Sequence, residues 1–134
     1  MELKVGKIPH CVLWSFPGAL SQIITNLVFN SINHAFTGID KKQITLYSEI
    51  DSHSGALKLI YRDNGIGIPK TDQQAVFERY FTTRREAGGS GLGLSIVKAL
   101  ATNKLKGDLT FKSAPQKGVE FAFTLPLDIS PKSP

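Results

Sequence analysis

Between Ser15 and Ile39 the chain has no Asp, Glu, Lys or Arg, yet it carries Gln22, Asn26, Asn30, Asn33 and His34. At about 100° per residue these five fall within roughly one third of a helix circumference. Beside them runs an apolar stripe of Leu20, Ile23, Ile24, Leu27, Val28, Ser31 and Ala35. A surface helix normally has charges on its solvent side, and asparagine is a poor helix former, so this face needs a compensating use. Two kinds of use fit: a buried polar network or neutral packing face, or a site for a phosphorylated, metal-bound ligand. An asparagine oxygen is a hard, neutral donor suited to magnesium, and unlike a carboxylate it does not repel phosphate. His34, one turn beyond Asn30, can donate to a phosphate oxygen.

Two glycine segments extend the pattern. Asp63-Asn64-Gly65-Ile66-Gly67 ends a predicted strand and reads either as a turn alone or as an adenine site. In the second reading Asp63 accepts a hydrogen bond from the exocyclic amine and the glycines let a flat ring approach the backbone; guanine would present an oxygen there and be repelled. Gly88-Gly89-Ser90-Gly91-Leu92-Gly93-Leu94 runs into a helix. It is either a flexible linker or a loop whose free N–H groups face an anion at a helix start. It lacks the Gly-Lys-Ser/Thr ending of a Walker loop and the glycine spacing of a dinucleotide fingerprint. The order of amide-rich helix, strand-end DNGIG, aromatic VFERYF and GGSGLGL is far more specific than any of its parts.

These groups must be held by ordinary elements. Residues 10–14 read as a short strand, and Pro17 suits a first helical turn with Ser15 as a cap. The helix is predicted to run to about Phe36 and to close at Gly38. Strands follow at 43–50, with Ile44, Leu46 and Ile50 alternating against polar neighbours, and at 56–63, joined by a hairpin over Asp51 to Gly55. Thr71 with Gln74 has capping-box spacing and opens a short helix through Tyr80. Residues 82–91 are predicted to be a mobile loop, 91–105 a helix stopped near Gly107. Residues 108–113 and 119–126 form a closing hairpin that puts Val119, Phe121, Phe123 and Leu125 on one face. The expected class is α+β, a two-layer α/β sandwich with mostly antiparallel strands, in one domain over 1–126 with a disordered tail at 127–134.

Composition narrows the setting. A length of 134 residues, 41% hydrophobic and 20% charged, suits one globular domain. No apolar run approaches the roughly 18 residues that cross a bilayer, and residues 1–20 lack a signal-peptide pattern. A cytoplasmic location is expected, with a parent protein that can still be anchored in the inner membrane. Cys11 has no second cysteine to pair with, which suits a reducing compartment. The sixteen Lys and Arg are scattered and no aromatic-basic motif is present, which argues against nucleic acid. The net charge of +5 also suits a protein that holds a polyphosphate.

On these motifs the sequence resembles the catalytic domain of bacterial sensor histidine kinases. That domain lies within a wider group including DNA gyrase, mismatch-repair and heat-shock chaperone ATPases. QIITNLVFNSINHAF resembles the N box, DNGIG the first G box, VFERYFTT the F box and GGSGLGLSIV the second G box, and the resemblance runs from about residue 10 to Pro126. It implies a Bergerat-type ATP-binding fold, a mixed, mostly antiparallel sheet packed on helices, with ATP and Mg2+ as cofactors. It implies that Asn30 holds magnesium, that Asn26 supports the same site and that His34 touches phosphate. Asp63 would fix the adenine amine, with Gly65 and Gly67 shaping the pocket. Residues 68–90 would be the ATP lid, with Arg79, Arg84 and Arg85 as candidate charges for the phosphates. Gly89, Gly91 and Gly93, with Ser90, Leu92 and Leu94 between and beside them, would close over the triphosphate.

Two departures stand out. Many relatives have lysine where this chain has Asn33, and His34 is expected to take over that phosphate contact. The family's Gly-x-Gly-Thr near the C-terminus is Gln116-Lys117-Gly118-Val119 here, without the threonine hydroxyl. Hydrolysing relatives carry a water-activating glutamate where this chain has Asn26, and an amide cannot act as a general base. The resemblance therefore implies a protein-histidine kinase rather than an ATPase. Protein-serine kinases of the anti-sigma type, a gyrase-like hydrolase and a protein-interaction module stand as alternatives. In sensor kinases an acidic residue usually follows the phosphorylated histidine, whereas His10, His34 and His53 are followed by Cys11, Ala35 and Ser54. The acceptor is thus expected on a separate dimerisation domain, with a response regulator downstream. The isolated domain is expected to be monomeric and to bind Mg-ATP without autophosphorylating, and the parent to be a homodimer.

Overall fold

The computed structural model describes residues 2–5, 17–73, 75, 77 and 93–127. Its elements are β1 (Glu2–Val5), α1 (Pro17–Asn30), β2 (Gln43–Ile50), β3 (Leu57–Asp63), α2 (Gly93–Ala99), β4 (Asp108–Ser113) and β5 (Val119–Leu125). The strands form one sheet of order β1-β2-β3-β5-β4. β1 runs parallel to β2, and the other neighbours are antiparallel.

Residues two apart on a strand share a face. On β3 this puts Leu57, Leu59, Tyr61 and Asp63 on the core side, and on β5 Val119, Phe121, Phe123 and Leu125, all buried. Ala19, Ile23 and Leu27 of α1 meet Leu94 and Val97 of α2 over that face. Burying one large apolar side chain of this kind stabilises the fold by about 1.5–3 kcal/mol. The result is the expected two-layer α+β sandwich. On the opposite sheet face Arg62 pairs with Glu120 and lies 5.9 Å above the Tyr47 ring centroid.

Several expectations change in detail. The first helix widens into π-type turns over Ser31–Ala35 before Phe36 leaves it, and Gly38 turns the chain at φ 74°. The second helix widens likewise over Leu100–Lys104, where the Leu105 N–H reaches the Leu100 carbonyl. Lys106, not Gly107, takes the left-handed conformation (φ 58°). Gly107 is needed for space instead, since a Cβ there would lie 2.3 Å from the Thr124 carbonyl oxygen. On β2 the buried partner of Ile44 is Ser48, while Ile50 at the strand end is exposed. Residues 70–73 make turns in which the Asp72 N–H donates to the Pro69 carbonyl and the Gln73 N–H to the Lys70 carbonyl, while Gln74 and much of the short helix expected through Tyr80 lie outside the described residues. β1 was not anticipated; the strand expected at 10–14 lies outside the described residues, as do the predicted loop 82–91 and residues 128–134. Leu127 packs half-buried against the core.

The loop after β3 is clamped from both sides by backbone. Ile66 N–H donates to the Ala35 carbonyl at 2.8 Å, and Gln116 N–H donates to the Ile66 carbonyl at 2.6 Å. A Cβ at Gly65 would lie 2.3 Å from the Ala35 oxygen, and one at Gly67 (φ 76°) 2.1 Å from the Ala114 oxygen. Gly65→Ala and Gly67→Ala are therefore each expected to destabilise by about 1–3 kcal/mol through overpacking. Gly38→Ala, which meets nothing within 4 Å, should lose only about 1–2 kcal/mol from its left-handed backbone. Urea denaturation checks the order; a milder loss at Gly65 than at Gly38 would contradict the clamp.

Candidate functional site

Asp63 ends β3 on the core face, where it is only 4% exposed. Its paired neighbours are Ile44 and Val119, both buried and apolar. Burial there pushes the Asp63 carboxyl above its usual range, and three donors act the other way: the Gly65 N–H, the Ser31 hydroxyl and the Val119 N–H. The Gly65 N–H reaches Oδ1 at 3.0 Å and Ser31 Oγ reaches Oδ2 at 2.9 Å. Ser31 Oγ also lies 2.7 Å from the Tyr61 hydroxyl, which donates to the Leu27 carbonyl at 3.1 Å. Burial raises the Tyr61 phenol strongly, so it remains a neutral donor.

Ser31 directly follows Asn30. Its bond to Asp63 therefore brings the amide row of the first helix and the carboxylate of β3 into one place. Asn26, Asn30 and His34 are half-buried, and Gln22 is exposed. Among the described residues neither the Asn26 nor the Asn30 side chain has a hydrogen-bond partner, whereas Asn33 turns back to donate to the Phe29 carbonyl at 3.0 Å. The helix remains charge-free outside the amide row too, because its solvent side shows Phe29 and Ile32 at 60% and 52% exposure. No cluster of His, Cys, Asp or Glu able to hold a metal by itself occurs among the described residues. A neutral amide such as Asn30 fits a magnesium ion that brings its own waters and phosphate oxygens.

The structure places Gly65 and Gly67 in the loop beside Asp63, and Gly93 and Leu94 at the start of α2, with Leu94 buried. Arg79, Gly89, Ser90, Gly91 and Leu92, with Arg84 and Arg85, lie outside the described residues. Of the expected lid only 68–73, 75 and 77 are described. Its start is tethered: Ile68 N–H donates to Ser113 Oγ at 2.8 Å, and Gln73 Nε2 donates to the carbonyls of Ile68 and Ser113. Three residues went unassigned in sequence. Ser31 reads as a small member of the apolar stripe, and Tyr61 as one residue of the strand at 56–63. Asn64 reads as part of a turn but fastens the start of β2, accepting from the Gln43 N–H and donating to the Lys41 carbonyl.

Residues 17–129 match the family described as histidine kinase-, DNA gyrase B-, and HSP90-like ATPase. The chain is 37% identical over 123 residues to the sensor protein EvgS of Escherichia coli K12, covering 90% of this chain and 10% of that protein. It is 35% identical to the sensor histidine kinase RppB of Synechocystis, covering 94% of this chain and 27% of RppB. The chain thus spans a small part of the length of these relatives. Among solved structures it resembles the mycobacterial sensor histidine kinase MprB with a TM-score of 0.75 and 25% identity, over 95% of this chain and 82% of the other. No helix among the described residues is long and apolar enough to cross a membrane.

Asp63 holds its proton more tightly in the fold than in the unfolded chain, so ionising it at neutral pH opposes folding. The stability of the protonated form is fully present below its ordinary value of 3.8 and is lost as pH rises through the raised folded value. Asp63→Asn cannot ionise, and its amide can donate to Ser31, which then donates to Tyr61 and Tyr61 to Leu27. This variant is expected to melt higher than the parent near pH 7, with the gap closing toward pH about 3.8. Calorimetric melting across that range checks it. An equal loss of stability at both ends would contradict the linkage.

Proposed function

We propose, for a chain that belongs to the histidine kinase-, DNA gyrase B- and HSP90-like ATPase family as a sensor histidine kinase catalytic domain, that it positions Mg-ATP for γ-phosphoryl transfer to a histidine on a separate dimerisation domain. The observation that carries this reading is the Ser31–Asp63 bond, which ties a base-reading carboxylate to a helix whose polar side offers uncharged amides. Asp63 accepts from the adenine amine. Gly65 and Gly67 keep the neighbouring backbone free of side chains where the ring lies. Asn30 holds magnesium, Asn26 supports it and His34 donates to a phosphate oxygen. Magnesium supplies charge neutralisation for the triphosphate.

The division of labour follows from the charges. No carboxylate stands on the first helix to orient or deprotonate water, so hydrolysis is slow and the γ-phosphate persists until an imidazole approaches in line. Arg79, Arg84 and Arg85 supply charge to the phosphates from the 68–90 lid, and the segment Gly89, Ser90, Gly91, Leu92, Gly93 and Leu94, which runs from the lid's end into the start of α2, closes over the triphosphate. The partners are a dimerisation domain in a homodimeric, cytoplasm-facing parent protein and a response regulator downstream. Nucleic acid is not a partner.

Asp63→Ala is expected to weaken ATP binding by about 1–3 kcal/mol, the range for losing a hydrogen bond to a charged group, which is about tenfold or more in affinity. Isothermal calorimetry measures this, and unchanged affinity would remove Asp63 from the site. Asn30→Ala should abolish the gain in ATP affinity on adding magnesium; a variant that still binds better with magnesium contradicts the assignment. Mixing this domain and labelled ATP with a separately made dimerisation domain of a sensor kinase should yield phosphohistidine. Steady release of phosphate by the domain alone would favour a hydrolase instead.

A further inference from the structure

Behind the Asp63 carboxylate three oxygens stand in a row, and two protons must serve them. Ser31 Oγ lies 2.9 Å from Asp63 Oδ2 and 2.7 Å from the Tyr61 hydroxyl, which lies 3.1 Å from the Leu27 carbonyl oxygen. Ser31, Tyr61 and Asp63 are all buried, so water does not compete for these positions. An ionised Asp63 can only accept, so the serine proton goes to it. Ser31 Oγ is then left as an acceptor facing the tyrosine, whose single proton is drawn between Ser31 and Leu27.

The direction of this chain depends on the state of Asp63. A neutral carboxyl has a proton to give, and it can give it inward to Ser31 or outward to the ligand. Turned inward, it is absorbed: Ser31 donates to Tyr61 and Tyr61 to the Leu27 carbonyl, with every oxygen satisfied. Turned outward, it would welcome a purine that presents a carbonyl. Val119 contributes only its backbone N–H and no hydroxyl, so Ser31 is the side chain that decides between the two. Resting on the reading that Asp63 takes the adenine amine, we propose that Ser31, backed by Tyr61, is a positioning residue for adenine specificity. Its hydroxyl holds the outward edge of Asp63 as an acceptor in either protonation state, admitting a purine with an amine and refusing one with a carbonyl.

The test is calorimetry of Mg-ATP and Mg-ITP, which carries a carbonyl in place of the amine, on the parent chain, Ser31→Ala, Ser31→Thr and Tyr61→Phe. Ser31→Ala should lose roughly tenfold in ATP affinity, as for one hydrogen bond to a charged group. It should lose little for ITP, so the ratio between the two narrows. Ser31→Thr keeps the hydroxyl and should restore the ratio, and Tyr61→Phe should narrow it partway. An ATP-to-ITP ratio unchanged in Ser31→Ala, whatever its melting temperature, would overturn the proposal by making the serine a packing residue only. Asp63→Ala separates the layers. If it binds ATP like the parent, the adenine reading itself falls; if it loses ATP while Ser31→Ala keeps its ratio, only the role of Ser31 falls.

Discussion

A carboxylate on the core face of a β-strand, between Ile44 and Val119, is the constraint around which the rest of the molecule is arranged. Leaving such a group without partners would be expensive, and the fold answers with donors from three directions: the first helix, the loop after β3 and the start of β5. Two of these donors fix a piece of architecture. The Ser31 bond sets how the helix layer lies over the sheet. The Gly65 N–H folds the loop back on its own strand, and the Val119 N–H, on β5 opposite Asp63, counters the upward pull of burial. A group that opposes folding on its own thereby becomes the place where both layers are aligned.

The glycines extend the same logic. Gly65 and Gly67 have no room for a side chain because the Ala35 and Ala114 carbonyls press on them. Gly118 is under similar pressure from the Asp63 carbonyl, 2.1 Å from where its Cβ would stand. The loop is thus trapped between the end of the first helix and the β4–β5 turn, and Ser113 ties that turn to Ile68 at the head of the segment that follows. The widening of the first helix at Ser31–Ala35 lies against this loop; π-type turns of this kind are frequent at functional sites. A corner with no room for side chains, beside the Asn26 and Asn30 amides of the first helix, suits a ligand that is flat at one end and polar and charged at the other.

Much of this was legible in the sequence because it depends on local periods. The strands β2, β3, β4 and β5 and both helices follow from alternation and helical spacing, and Asp63 could be placed at a strand end by its glycines. The amide row was visible because an absence of charge over so long a helix is unusual. What was not legible depends on pairing across the fold. Ser31 and Tyr61 are 30 residues apart, and a serine in an apolar stripe looks like a small spacer until its partner is known. Ser48 on β2 is buried for the same kind of reason, while Ile50 at the end of that strand is not. β1 is a four-residue run whose alternation is too short to stand out, and its parallel pairing comes from β2 rather than from its own sequence. Gly107 reads as the stop of the second helix, but what demands a glycine there is the closeness of Thr124, which no local pattern records.

The central claim is that one site has two chemically distinct halves, a carboxylate that reads the base and amides that meet the phosphates. Nuclear magnetic resonance tests it most directly by following the Asp63 side-chain carboxyl carbon together with the side-chain amide groups of Asn26 and Asn30. Adenosine alone should shift Asp63 and leave the two amides unmoved, magnesium with tripolyphosphate should do the reverse, and Mg-ATP should move all three together. Saturating Mg-ATP that left the Asp63 carboxyl resonance where it was would contradict the account.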